Sequence, residues 1–258
     1  MQLRSVEGGA LQRIGSAGYL IGALLLVVAS LLLPRASDLG NVQAMQRTFA
    51  AQAVLLQACA LLYAFGYWAV LIGTVGVSRA ITAAGAAWAD LGRSFALVAT
   101  ALWTLGFALD VAYAAALATW LAAAPAGKPA AYSIVAVLSP LGFGRGLFPL
   151  TVIVNGLAFT FLGVGMVQST VYPRWGGSGG LLLGAAGVLL GIVQTFTGRE
   201  RALTLFIVLE ALTILWLVGV GGWLAWNTRS SRRGAGRTNG KDSAPNQGLE
   251  VTTTRTTG

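Results

Sequence analysis

The chain contains no histidine, and its single cysteine is Cys59. Without histidine it lacks the imidazole that commonly ligates haem and zinc and that acts as acid or base at neutral pH. One cysteine cannot form a disulfide within the chain, and because Cys59 lies in an apolar segment we interpret it as a small buried residue. We therefore expect no metal centre and no bound cofactor.

Charge is also scarce, since 10% of the 258 residues are charged whereas 56% are apolar. Soluble domains carry about 25% charged residues, so most of the surface of this protein must face lipid. The sequence has no His-Glu-x-x-His motif, no P-loop and no Gly-x-Gly-Asp motif of intramembrane aspartyl proteases. These absences argue against an enzyme, and the composition indicates a membrane protein with several spans.

Six long apolar segments follow one another along the chain, and each meets the roughly 20 residues needed to cross a bilayer. The predicted spans are about 11–33, 50–77, 94–122, 148–171, 177–197 and 202–226. Residues 1–10 form a polar lead, and residues 228–258 form a basic tail rich in Ser, Thr, Gly and Arg that we expect to be disordered. The sequence therefore predicts an all-α integral membrane protein, built as a bundle of six transmembrane helices.

Two connections carry apolar residues of their own. Residues 79–93 place four of them at helical spacing: Ile81, Ala84, Trp88 and Leu91. This pattern predicts a short amphipathic helix that lies in the membrane interface. In the connection 123–147, the apolar piece Tyr132 to Leu138 is too short to span, so it is either interfacial or re-entrant. We expect the Gly-rich stretch 140–146 to be irregular.

The distribution of basic residues predicts the orientation. Six spans place both termini on one side, which carries five basic residues near span ends against six on the other side. A further six lie after Trp226, making eleven against six, and basic residues favour the cytoplasm. We predict a multi-pass cell-membrane protein with both termini cytoplasmic. The tail has no aromatic residue to stack on bases, so we expect the bilayer and no nucleic acid as partner; whether copies associate stays open.

Only two acidic residues lie inside the predicted spans, Asp110 and Glu210. A carboxylate at mid-membrane costs about 2.5–3.5 kcal/mol, so it persists where it faces a partner, a cavity or a ligand. Counted along the helices, the two lie roughly 18 Å and 12 Å from the predicted outer surface. Asn155 enters span four from the same surface, and Tyr113 shares a helical face with Asp110.

We hypothesise that Asp110, Glu210, Asn155 and Tyr113 form a site for a small molecule or an ion in the outer half of the bilayer. Two alternatives stay open. The carboxyls could be neutral groups that only join helices by hydrogen bonds. The protein could also be a non-transporting membrane subunit or sensor that acts through helix contacts and its basic tail.

Span five carries a stripe of glycines at helical spacing: Gly180, Gly184, Gly187 and Gly191. Small residues at this spacing let two helix backbones approach closely. The stripe therefore predicts tight helix packing, either within the bundle or between copies of the chain.

Three stretches of the sequence are typical of one family. They read LDVAYAAALATWL at 109–121, VYPRWGGSGGLLLGAAGVLL at 171–190 and LWLVGVGGWLAW at 215–226. They resemble a family of uncharacterised bacterial multi-span integral membrane proteins, classed as a domain of unknown function. The resemblance covers most of residues 11–227, implies a multi-span helical fold and implies no catalytic residue. The basic tail and the stretch 140–146 are not part of the family pattern.

Overall fold

A computed structural model describes the backbone of residues 2–34, 42–143, 147–197 and 199–238, and the side chains of residues 10–34, 44–139, 147–197 and 204–228. Within these residues the regular structure is entirely helical. The helices are α1 (Gln2–Leu32), α2 (Val42–Ala51), α3 (Ala53–Ala80), α4 (Ala86–Ala122), α5 (Lys128–Phe143), α6 (Leu147–Val167), α7 (Arg174–Thr197) and α8 (Arg199–Thr238). Helices α1, α3, α4, α6, α7 and α8 are long and apolar enough to cross a membrane, which confirms the all-α membrane bundle.

The six spanning helices form a closed ring in chain order. Each contacts the next, from α1 and α3 through α4, α6 and α7 to α8, and α8 contacts α1. Consecutive spans run antiparallel, so the ring has two ends. We call the end near residues 80–86 and 167–174 the proximal end; α1 starts and α8 finishes there. The other end, near residues 53, 122 and 147, is the distal end.

Glycines hold α1 against α3 in what we call the first glycine seam. Gly18 of α1 and Gly73 of α3 lie so close that neither leaves room for a side chain. A methyl group on Gly18 would lie 2.6 Å from the Ala69 carbonyl oxygen, and one on Gly73 would lie 2.9 Å from the Tyr19 backbone nitrogen. Both obstacles are backbone atoms, which cannot turn aside as a side chain does, so these two positions require glycine.

A second glycine seam joins α6 and α7 and contains the stripe predicted from span five. Gly180, Gly184, Gly187 and Gly191 are all buried. A methyl group on Gly184 would lie 2.5 Å from the Gly156 carbonyl oxygen, and one on Gly191 would lie 2.8 Å from the Pro149 carbonyl oxygen. The stripe therefore packs inside the bundle, mainly against α6.

Residues 79–93 do not form a separate interfacial helix, and that prediction was wrong. Helix α3 continues to Ala80, a 3-10 turn covers Ala83–Gly85, and α4 starts at Ala86. The 37 residues of α4 extend over about 55 Å, well beyond the roughly 30 Å of bilayer hydrocarbon. Its first turns therefore lie at the membrane edge, where Asp90 and Arg93 pair at 3.2 Å. The sequence pattern placed these charges before the span, whereas they belong to its first turns.

Two short helices pack on the C-terminal half of α4 at the distal end. Helix α5 has 16 residues, about 24 Å of helix, too short to cross the hydrocarbon. Its Val135 is fully buried in a cluster with Ala50, Tyr113 and Leu117. The helix continues through Pro140 to Phe143, where we expected irregular backbone; residues 144–146 lie outside the described part.

The spanning helices at the chain ends extend further than the sequence predicted. Helix α1 starts at Gln2 and includes the polar lead, and α8 continues to Thr238. The backbone of residues 228–238 is thus helical where we expected disorder. A helix already formed extends by one hydrogen bond per residue without a new nucleation cost. Residues 239–258 of the predicted tail lie outside the described part.

Candidate functional site

The ring of helices encloses a central cavity of about 50 Å³. All six spanning helices contribute to its lining: Leu26, Tyr67, Val70, Trp103, Val152, Asn155, Gly156, Phe159, Leu183, Gly187, Phe206, Leu209, Glu210, Thr213, Ile214 and Leu217. A buried water needs roughly 10–15 Å³ on this scale. The cavity therefore has room for about three to five waters, or for one small ion or molecule.

Among the described residues that line this cavity, one carries a carboxyl group, Glu210. The Glu210 carboxyl interacts electrostatically with the phenol of Tyr67 on α3, and Asn155 lies on the lining contributed by α6. The hydroxyl of Thr213, one turn from Glu210, donates to the Leu209 carbonyl at 2.8 Å. Polar side chains of three helices thus line one cavity that is otherwise apolar.

Counted along their helices, Glu210 and Asn155 lie in the distal half of the spans. Glu210 lies six residues after Thr204, where the apolar part of α8 starts, and Asn155 lies eight residues after Leu147, where α6 starts. At the rise of an α-helix these separations correspond to about 9 Å and 12 Å. Both side chains therefore lie within the hydrocarbon, where a carboxylate is costly.

Tyr67, Trp103, Phe159 and Phe206 add aromatic rings to the wall, and Phe148 packs against two of them. The rings of Tyr67 and Trp103 stack with centroids 4.8 Å apart. Trp103 meets Phe148 edge-on at 5.6 Å, and Phe148 meets Phe206 at 5.0 Å. The buried Trp103 Nε1 has no hydrogen-bond partner among the described residues. An unpaired buried donor costs about 1–3 kcal/mol, which favours an acceptor such as a water molecule inside the cavity.

A second, smaller cavity of about 10 Å³ adjoins the first on its proximal side, between α3, α4 and α6. The two cavities share Tyr67, Val70, Asn155 and Phe159, and the smaller one adds Thr74 and Thr100. It holds about one water. Hydroxyl contacts close the proximal end beyond it.

Those closing contacts are made by Tyr19 and Tyr172. The Tyr19 hydroxyl lies 3.3 Å from the Thr74 hydroxyl, and the Tyr172 hydroxyl donates to the Val77 carbonyl at 3.0 Å. Burial raises the pKa of Tyr172, which lies in the connection between α6 and α7. Its hydroxyl therefore stays protonated and keeps donating.

The four residues predicted as a site lie in two places. Asn155 and Glu210 line the central cavity, whereas Asp110 and Tyr113 are not among the lining residues of either cavity described here. Tyr113 is buried where α2 and α5 pack on α4, and it hydrogen-bonds the side chains of Gln46 and Ser139. Asp110 interacts electrostatically with Tyr113, so these two lie at the distal end, where α2 and α5 pack on α4.

Sequence reasoning left Tyr67, Trp103 and Phe206 out of the site. One signal was available for Phe206, because it lies four residues before Glu210 and shares its helical face. Tyr67 and Trp103 belong to α3 and α4, and their approach to Glu210 depends on the order of helices around the ring. That order is not readable from the spacing of residues in one helix.

One sequence pattern is similar to the nucleophile motif of serine hydrolases. Residues 176–180 read Gly-Gly-Ser-Gly-Gly and match Gly-x-Ser-x-Gly, whose serine acts at a strained turn between a strand and a helix. Here they form the first turns of α7, and the chain has no histidine to act as base. Within the described residues, no three His, Cys, Asp or Glu side chains come together as a group able to hold a metal ion.

Comparison of the chain with models of protein families, with curated proteins and with solved structures gives no match. The argument for function therefore rests on the cavity and the groups that line it.

Proposed function

We propose that this multi-pass membrane protein handles a small molecule or an ion through the central cavity, with Glu210 as the anchor. The observation that supports this best is the Glu210 carboxyl among the sixteen described residues that line the cavity inside the ring. A carboxyl at this depth lowers stability. Because Glu210 lines the cavity, its carboxyl can contact a molecule bound there. Asn155 and Tyr67 are the groups beside it that orient a bound molecule.

Asp110 and Tyr113 belong to the approach to the cavity in this proposal. Asp110 lies seven residues after Trp103 on α4, which is about 10 Å further toward the distal end on the same helical face. With both termini in the cytoplasm of a bacterial cell, the distal end faces outward and the site lies in the outer half of the membrane. Orientation, cell membrane and the resemblance to the uncharacterised bacterial family are parts of the same proposal.

The alternative is a non-transporting subunit or sensor that acts through helix contacts and a basic tail. The glycines of α7 were one reason to consider it, because exposed glycine stripes pair helices of different chains. In this protein they are buried against α6 of the same chain. This contact within one chain removes one reason to propose a subunit or sensor. The cavity therefore remains the stronger argument, and it supports the handling of a small molecule or an ion.

Cysteine labelling tests whether the cavity is wet. Cys59 is buried and free, so Cys59→Ala gives a background without thiols. Single cysteines are then placed at Asn155 and Glu210, with Ala114→Cys as a buried control and Ala126→Cys as an exposed one. We expect a small membrane-impermeant thiol reagent to label positions 155 and 210 much faster than position 114, although more slowly than position 126.

The comparison with position 114 decides the outcome. Ala114 is fully buried in a cluster with Ala53 and Leu56 away from both cavities, so its rate measures protection by packing alone. Labelling at 155 and 210 that is no faster than at 114 would contradict the proposed function. Correct folding of each variant is checked by its elution profile before labelling.

A further inference from the structure

We infer that the occupant of the central cavity is a small uncharged molecule with an amide-type group, an N–H beside a C=O as in a carboxamide or urea. This inference rests on the proposed function. Three features of the cavity lead to it: the position of Asn155, the indole N–H of Trp103 and the size of the space.

Asn155 lies where the two cavities join. It lines both the central cavity and the smaller one on its proximal side, and it is only partly buried although it belongs to the interior of the ring. A carboxamide presents a carbonyl acceptor and two N–H donors in one plane. Its closest chemical complement is a second amide-type group, which can return one N–H···O bond for each one that it receives.

Trp103 adds a need for an acceptor. It lines the central cavity, and its buried Nε1 has no hydrogen-bond partner among the described residues. An indole N–H only donates, and leaving it unpaired in the interior costs free energy. A carbonyl oxygen has two lone pairs, so the oxygen of an amide-type ligand can accept from Trp103 and from Asn155.

The same donor argues against an ion in the cavity. A protonated amine or a metal cation carries no hydrogen-bond acceptor, so neither would satisfy the Trp103 N–H. An anion would share the space with the Glu210 carboxyl, and no lysine or arginine is among the sixteen described residues of the lining. An uncharged molecule also avoids the large cost of moving an ion from water into an apolar interior.

Glu210 can contribute while it keeps the contacts that it already has. Its carboxyl interacts electrostatically with the Tyr67 phenol. A carboxyl group offers about four lone-pair sites when ionised, and it still accepts hydrogen bonds when protonated. The N–H groups of an amide-type ligand therefore have two acceptors on the lining, the Asn155 carbonyl and the Glu210 carboxyl.

The size of the cavity limits the ligand to a few non-hydrogen atoms. Its volume of about 50 Å³ has room for roughly three to five waters, and hence for roughly as many non-hydrogen atoms. Acetamide and urea fall within this range. Pivalamide carries the same carboxamide on a tert-butyl group and is too large, so we expect it not to bind.

The test measures the melting temperature of the purified full chain in lipid nanodiscs during titration with acetamide. A ligand that binds the folded state raises stability with a saturable dependence on its concentration. We expect a saturable rise with acetamide and none with pivalamide. Acetone has the shape of acetamide without its N–H groups, so it should bind more weakly. Sodium acetate and methylammonium chloride, each exchanged for sodium chloride at constant ionic strength, should give no saturable rise.

Two substitutions assign the binding to the lining. Asn155→Leu keeps a similar volume and removes both the donor and the acceptor, so it should weaken the apparent affinity for acetamide roughly 5- to 150-fold. Trp103→Phe keeps an aromatic ring and removes one N–H donor, so it should weaken the affinity roughly 2- to 12-fold.

Trp216→Phe is the matched control for Trp103→Phe. Trp216 is also buried, its Nε1 donates to the Gly176 carbonyl oxygen at 2.8 Å, and it does not line either cavity described here. Loss of that hydrogen bond should lower the melting temperature while the affinity for acetamide stays that of the unmodified chain. A fall in affinity in the Trp103 variant alone cannot come from a general loss of structure.

The remaining outcomes test the ligand class and the proposed function separately. A saturable response to acetate or methylammonium, without a response to acetamide, overturns the amide-type ligand and leaves the proposed function standing. Unchanged acetamide affinity in Asn155→Leu places the binding elsewhere and likewise overturns the inference. No response to any of these molecules overturns the ligand class, and together with protected cysteines at positions 155 and 210 it overturns both.

Discussion

The two glycine seams and the central cavity are built from opposite kinds of contact, although they occupy the same bundle. In the seams, backbone meets backbone, and a single added methyl group has no room at Gly18, Gly73 or Gly184. Around the cavity, large rings and one carboxyl surround open space of about 50 Å³. The same helices contribute to both, because Gly156 of α6 and Gly187 of α7 pack in the second seam and also line the cavity.

This difference indicates where the protein obtains its stability and where it can lose some for function. Between helices in lipid, close packing of small residues replaces much of the hydrophobic effect. The seams therefore stabilise the ring, whereas the cavity contains the costly groups, a carboxyl and an indole N–H that has no partner among the described residues. Functional groups are often held at such a cost. Substitutions in the two regions should thus differ in what they change.

The largest loss of stability should come from Gly184→Ala in the second seam. The new methyl group would lie 2.5 Å from both the Gly156 carbonyl oxygen and the Thr160 hydroxyl, and it would also meet the Thr160 backbone nitrogen. Overpacking costs typically about 1–3 kcal/mol and occasionally more, and because two of these obstacles are backbone atoms we expect the upper part of that range. Unfolding in mixed micelles measures the loss.

Gly222→Ala in α8 is the matched control for this substitution. Nothing lies within 4 Å of a methyl group at Gly222, and alanine forms helix more readily than glycine by up to about 1 kcal/mol. This variant should be as stable as the unmodified chain or slightly more so. Equal stability of the Gly184 and Gly222 variants would show that the seam is not the stabilising region.

A smaller and more selective effect is expected from removing single hydroxyl groups. Tyr19 is fully buried in the first seam, and its hydroxyl lies 3.3 Å from that of the buried Thr74. Tyr19→Phe leaves Thr74 without that partner and should cost about 0.5–1.5 kcal/mol. Tyr67→Phe alters a cavity residue where water can replace the lost contact, so it should change stability less.

Thermal unfolding separates these two tyrosines. In the seam variant the melting temperature should fall, whereas in the cavity variant it should stay close to that of the unmodified chain. The reverse pattern would remove the distinction between the regions, because it would make Tyr67 the structural residue.

The sequence predicts the spans well because about 20 apolar residues suffice to identify each one. It predicts their ends less well, since charges such as Asp90 and Arg93 also occur within a helix that extends past the hydrocarbon. The same limit applied to residues 228–238, where the composition of the tail gave no sign that α8 continues.

The candidate site shows a different limit. In the sequence, Asp110 and Glu210 look equivalent, because each is the one acidic residue of an apolar span. The fold separates them, since α2 and α5 pack beside Tyr113 while Glu210 faces the ring centre. Spacing within a helix identifies which residues share a face. Which face turns inward depends on neighbours that only the assembled ring supplies.

The last expected effect is a gain in stability at Gln194, which continues the glycine stripe of the second seam by one turn. Gln194 is fully buried, and neither atom of its amide group has a hydrogen-bond partner among the described residues. Gln194→Met keeps the volume and removes an unpaired polar group, so we expect a stabilisation of about 1 kcal/mol, or a rise in melting temperature of about 2–4 °C.

Gln168→Met is the control, because Gln168 is an exposed residue between α6 and α7, and it should show no rise in melting temperature. A fall in melting temperature for Gln194→Met would instead make this amide a bonded element of the seam, and the seam would then no longer be purely a contact of small apolar groups.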